Sequence, residues 1–183
     1  MLGWLILTVS VWQWSVTRQL ADERRFLLTG WTWVNREKRV SNFHVEVGES
    51  VVFSKTVGES DIYMFAGITG DFSGNHVNEQ YMEKSAFKGR IAHGALLVGF
   101  MSTTSTMMIE RCVQEGIDET PVSLGYDGVR FLKPVYINDT VTVTYTISEI
   151  DRERRRSLSK IEVVNQDKEL VAVGQHILKW VAD

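Results

Sequence analysis

Residues 94–109 run without a single Lys, Arg, Asp or Glu, and the series Ala-Leu-Leu-Val-Gly-Phe-Met-Ser that follows Gly94 predicts a long buried helix from about His93 to Arg111. The run is too short, and too rich in hydroxyls at 102–106, for a membrane span. Beyond Pro121 the pattern changes to period two. Residues 122–132, 140–147, 159–165 and 170–181 read as four strands, separated by turn signals such as Asn138-Asp139 and Gln166-Asp167. Upstream, 43–47 and 51–57 read as short strands joined at Gly48, with Val and Phe supplying β-propensity. A short helix follows, capped by Ser60 or Asp61 and carrying Ile62, Phe65 and Ala66 on one face; a second runs from Asn78 to Ser85. An apolar helix must be covered by the apolar faces of strands. The expected class is therefore α+β, a curved antiparallel sheet wrapped around one long central helix.

Between the first short helix and the head of the long one lies the stretch richest in chemistry, GDFSGNHVNEQYMEKSAFKGRIAHG at 70–94. Gly70 and Gly74 let the chain fold back, so that Asp71 and His76, five residues apart, can meet at one point. An imidazole accepts a proton near neutral pH, a neighbouring carboxylate fixes its tautomer or shares the proton, and the two can hold a water between them. That is hydration or dehydration chemistry in outline. Asp, Ser, Gly and Asn are equally ordinary turn formers, and Asp71 can instead cap the helix that starts near Asn78.

Composition narrows the class further. With 183 residues, 44% of them hydrophobic and 23% charged, the chain can bury one sizeable core and is neither disordered nor a multi-span membrane protein. Its net charge of -3 and its one basic cluster at 152–156, interrupted by Glu153, argue against nucleic acid as a partner. One cysteine, Cys112, forms no internal disulfide and sits at the end of the apolar helix, where a core thiol is expected rather than a nucleophile; a reducing, cytoplasmic setting is the expectation. The four histidines have no ligand spacing of the H-E-x-x-H kind, so no metal is indicated. Residues 1–17 are uncharged and Trp-rich, yet only reach the lower edge of a membrane span and lack a preceding Lys or Arg. The expected division is an extension over 1–42 and one domain over 43–183, with Val40 as the expected start of the enzyme proper and no membrane partner.

The 70–94 stretch resembles the MaoC-like dehydratases, the (R)-specific enoyl-CoA hydratase family, whose pattern runs G-D-x-N-P-x-H and then H-G at the head of a central helix. Gly70, Asp71, His76, His93 and Gly94 match; Ser73 stands where the family has Asn and Gly74 where it has Pro. The similarity runs from about Phe43 to Trp180. It implies the hot-dog fold, which is also what a sheet wrapped on one helix amounts to. It implies hydration of a trans-2-enoyl thioester of coenzyme A or acyl carrier protein to the (R)-3-hydroxyacyl thioester, or the reverse, with no cofactor.

In that scheme Asp71 and His76 activate water and the Gly94 N–H, at the positive end of the helix dipole, receives the thioester oxygen. Close helix–sheet packing is the other role open to Gly94. Ser102, eight residues on and about 12 Å along the helix, is implied by the resemblance to hold the catalytic loop; a hydroxyl bonded to its own helix backbone is the alternative. Ser73 can compensate for the missing Asn, and His93 is expected to be neutral and supporting. Lys88, Arg90 and Lys133, with Lys84 and Arg130, are candidates for contacting substrate phosphates. A free edge in 122–131, together with the resemblance, implies a homodimer or a dimer of dimers. Two rivals remain: a hot-dog thioesterase, whose usual carboxylate does not require this loop, and a non-catalytic acyl-binding subunit, favoured only by Ser73 and Gly74.

Overall fold

The computed structural model describes residues 43–182; the extension over 1–42, with the expected start at Val40, lies outside the described residues. In chain order the elements are β1 (Ser50–Thr56), α1 (Glu59–Thr69), α2 (Gly74–Val77), α3 (Glu79–Glu83), α4 (Gly94–Gln114), β2 (Glu119–Phe131), β3 (Thr140–Asp151), β4 (Arg156–Val164) and β5 (Leu170–Ala182). The five strands form one sheet in the order β1-β3-β4-β5-β2, every neighbouring pair antiparallel. Val141, Val143, Tyr145 and Ile147 of β3 are buried while their neighbours in sequence are not, the alternation that gives a half-buried strand. From α4 the buried side chains are Leu97, Phe100, Met101, Thr104, Ser105, Met108 and Cys112, spaced three and four apart, so a single face of the helix lies on the sheet. This is the hot-dog arrangement. None of the described helices is long and apolar enough to cross a membrane.

Two sequence expectations need correction. Residues 43–47 form bends and a turn rather than a strand. The Glu49 N–H donates to the Glu46 carbonyl at 3.1 Å, the Glu46 N–H donates to the Glu49 carboxylate at 3.0 Å, and Gly48 takes φ +89° so that its own N–H reaches the Ile147 carbonyl at 2.8 Å. These local bonds curl the chain before it can pair, and Phe43 and Val45 become plugs in the core instead of rungs of the sheet. At the head of α1 neither Ser60 nor Asp61 is the N-cap: that position is Gly58, and Asp61 acts from the first turn, its carboxylate accepting the Gly58 N–H at 2.8 Å. A carboxylate in the first turn also favours the helix dipole, and Lys55 of β1 pairs with it at 3.1 Å.

The segment between β1 and α4 carries the candidate site. Gly70 ends α1 in the left-handed conformation at φ +81°, which is where a helix turns off cheaply only with glycine. Asn78 caps α3 by accepting the Tyr81 N–H at 3.0 Å. The intervening 74–77 forms one helical turn that the sequence pattern does not announce. The long helix runs three residues past the expected Arg111, whose guanidinium pairs with Glu49 at 2.6 Å while the thiol of the buried Cys112 donates to the His44 carbonyl at 3.2 Å. Among the described residues β2 is an edge strand, bonded to β5 alone and bulged at two places.

Candidate active site

Loop 70–76 is tied to the entry of α4 through one residue. The Ile91 N–H donates to the Asn75 carbonyl at 3.1 Å, and the Ile91 carbonyl accepts from His76 Nδ1 at 2.8 Å. Because a carbonyl can only accept, Nδ1 carries a proton and Nε2 of the neutral ring has its lone pair free. Asp71 is turned by a short-range bond: its Oδ1 accepts the Ser73 N–H at 3.2 Å, while its own N–H reaches Thr69 Oγ1 at 3.3 Å. The carboxylate is exposed and does not cap α3, which Asn78 does. Ser73 acts through its backbone, its carbonyl accepting from His76 and Val77; among the described residues its hydroxyl has no hydrogen bond.

His93 completes the cluster. It is buried at 1% exposure, and its Nε2–H donates to the Asp71 carbonyl at 2.9 Å, locking the backbone of the carboxylate residue to the helix entrance. Its ring lies on that of His76 with centroids 3.7 Å apart and planes 27° apart, and Phe65 packs on it at 4.8 Å. Its Nδ1 has no hydrogen-bond partner among the described residues. Asp71, His76 and His93 each bring a ligand-capable atom within 4.8 Å of the others, a gathering that their linear spacing does not suggest. A separation of that order between Asp71 and His76 is one that a single water can bridge with two hydrogen bonds of about 2.8 Å. As a metal donor set the three are less apt, since stacked imidazoles point their in-plane lone pairs side by side rather than at one ion.

Beside the cluster, α4 begins. The Gly94 N–H is the first donor of the helix and has no hydrogen-bond partner among the described residues, so a free donor at the positive end of a 21-residue helix borders the Asp71/His76 loop.

Ser102 is exposed near Tyr126 of β2, and among the described residues its hydroxyl hydrogen-bonds neither the loop nor its own helix backbone. Arg90 is held at 2.6 Å by Glu79 and at 2.6 Å by Glu59, with Tyr63 beneath it, and these carboxylates push its pKa up. It braces α1 and α3 on either side of the loop and has little left to offer a phosphate. Lys133 pairs with Glu169 at 2.5 Å, and Arg130 turns back on the Val129 carbonyl. Lys84 and Lys88 have no partner among the described residues.

A buried polar group on the sheet's inner face is not singled out by the sequence motifs. His176 of β5 receives or gives hydrogen bonds to Tyr145 at 2.9 Å and Ser123 at 2.8 Å and stacks on Tyr126 at 4.6 Å. Burial pushes its pKa down to about 4 and that of Tyr145 up to about 12. Strict alternation with Leu178 and Trp180 puts His176 on the core side and could have revealed it.

Residues 42–170 match the MaoC like domain family. An (R)-specific enoyl-CoA hydratase of Rhodospirillum rubrum is 40% identical over 111 residues, 61% of this chain and 72% of that protein. A 3-hydroxybutyryl-CoA dehydratase of Methylorubrum extorquens is 33% identical over 122 residues, 66% of this chain and 73% of that protein. Among solved structures, an R-hydratase of Pseudomonas aeruginosa in the unliganded form superposes with a TM-score of 0.59 at 26% identity, covering 76% of this chain and 84% of that one. The (R)-hydratase from A. caviae superposes with a TM-score of 0.63 at 24% identity, covering 74% and 96%, and is similar in fold.

Proposed function

Since the chain belongs to the MaoC-like domain family, we propose that it is a hydro-lyase that adds water across the double bond of a trans-2-enoyl thioester, forming the (R)-3-hydroxyacyl thioester, and that catalyses the reverse dehydration. The observation that carries this is the meeting of Asp71 and His76 beside the unpartnered Gly94 N–H. A water between Asp71 and His76 loses a proton to the free Nε2 of His76 as its oxygen bonds to Cβ. Electron density moves onto the thioester oxygen, where the Gly94 N–H and the helix dipole stabilise it. The enolate then takes a proton at Cα from the Asp71/His76 pair, so that one proton enters the pair and one leaves it in each turnover. His93 positions the pair through the Asp71 carbonyl and the stacked ring.

Coenzyme A is the expected carrier, with Lys88, whose side chain has no partner among the described residues and which lies one residue before the glycine at 89, as the first cation for its phosphates. Arg90 and Lys133 serve better as braces, given the carboxylates that hold them. A homodimer paired along β2 is part of the same proposal, as is a cytoplasmic setting for a thioester enzyme whose single thiol is buried. Crotonyl-CoA with the purified full chain tests the reaction: loss of enoyl absorbance without thiol release supports hydration. Thiol release would mean a thioesterase, and no change would mean an acyl-binding protein without this activity.

A further inference from the structure

Gly94 is crowded by one side chain. A Cβ built on it would lie 2.5, 2.6 and 2.9 Å from three atoms of the Phe131 ring, far inside van der Waals contact. In an α-helix the Cα–Cβ direction leans toward the N-terminus. The ring therefore packs against the first turn of α4, beside the Gly94 N–H, which has no partner among the described residues. Phe131 ends edge strand β2 and is 51% exposed, so it is not a core residue that happens to touch the helix. Half of its surface is left uncovered by the described residues and is open to a ligand.

We propose that Phe131 sets substrate specificity at this site, admitting linear 2-enoyl thioesters and turning away those that carry a substituent on Cα. The inference rests on the hydration function proposed above. An oxygen about 2.9 Å from the Gly94 nitrogen and a ring in contact with the adjoining Cα leave space for roughly one layer of atoms between them. With the acyl chain rather than the sulfur on the ring side, as this proposal has it, that layer holds the substrate's Cα and anything bonded to it. A hydrogen fits there and a methyl group meets the ring. Truncating the ring opens the space without touching the acid/base pair or the N–H.

The test compares kcat/KM for crotonyl-CoA and 2-methylcrotonyl-CoA in the full chain, in Phe131→Ala and in Phe131→Leu, with Leu132→Ala as a neighbouring exposed apolar position. The expected result is a rise of about tenfold or more in the branched-to-linear ratio for Phe131→Ala and a smaller rise for Phe131→Leu, the scale on which one methyl group discriminates in an apolar pocket. Leu132→Ala should keep the original ratio. If Phe131→Ala does not fold, Phe131→Leu decides the matter. An unchanged ratio in variants that still hydrate crotonyl-CoA would overturn the specificity role alone. So would a wild-type protein that takes both thioesters equally well, or an equal rise in Leu132→Ala. A folded wild-type chain that hydrates neither thioester would overturn the hydratase function and this inference with it.

Discussion

At the scale of single residues, tautomers decide the chemistry. His76 and His93 each give one N–H to a backbone carbonyl, of Ile91 and Asp71 respectively, and those bonds fix which nitrogen is left to act. Ligand-capable atoms of His76 and Asp71 lie within 4.8 Å of each other, whereas His93 is buried and stacked on His76. Asp71→Asn and His76→Ala should therefore each lower turnover by about two orders of magnitude or more, with unfolding midpoints close to wild type because Asp71 is exposed and His76 only partly buried. Steady-state kinetics beside thermal melts checks both statements. Rates near wild type in either variant would take that residue out of the mechanism. His176 makes a second prediction, of acid instability. Its pKa falls from 6.5 to about 4 on folding, so stability from keeping it neutral is complete above pH 6.5 and is lost as pH drops toward 4. The loss by pH 4 is about 3 kcal/mol. Urea unfolding at pH 7, 5 and 4 should show a steeper decline for wild type than for His176→Gln; parallel declines would contradict it.

At the scale of elements, the catalytic loop is short helical turns held from both ends. Gly74 is the first residue of α2, its N–H has no partner among the described residues, and Ser73 before it has φ -54° and ψ 138°. Proline suits that position, since no donor is lost and the preceding residue is already extended. Gly74→Pro combined with Ser73→Asn should keep or raise activity and stabilise the fold by about 0.4–1 kcal/mol, as read from denaturant midpoints and crotonyl-CoA rates. Loss of activity in a folded double variant would show that this loop works differently from that of the relatives. Much of this was legible in the sequence. The charge-free run gave away α4, alternation gave away four strands, and glycines flanking Asp71 and His76 marked the loop. Residues 43–47 were misread because the Glu46–Glu49 turn answers to hydrogen bonds that no β-propensity encodes. The Arg90 brace and the stacking of His93 on His76 were hidden for another reason: they join residues 11 to 31 positions apart that only the folded chain brings together.

At the scale of the molecule, the sheet formed by the described residues is open at both ends, and β2 is the end that matters for assembly. It bonds to β5 on one side and carries the exposed Val122, Leu124 and Phe131. Unpaired backbone groups beside exposed apolar side chains invite pairing with a second copy. The shifts in register at 123–125 and 127–130 bend the strand and restrict where such pairing can occur. Light scattering on the full chain should give the mass of a dimer or a dimer of dimers; a stable, active monomer would refute pairing along β2. Because Phe131 belongs to this strand and touches Gly94, assembly and substrate discrimination meet at one end of the sheet. The central claim concerns the reaction itself, and one measurement reaches it most directly: crotonyl-CoA is incubated with the purified full chain and the product is resolved by chiral chromatography. The proposed chemistry predicts (R)-3-hydroxybutyryl-CoA, formed without release of thiol and at a rate that collapses in Asp71→Asn. The (S)-product, free coenzyme A in place of the hydroxyacyl thioester, or unaltered substrate would each contradict it.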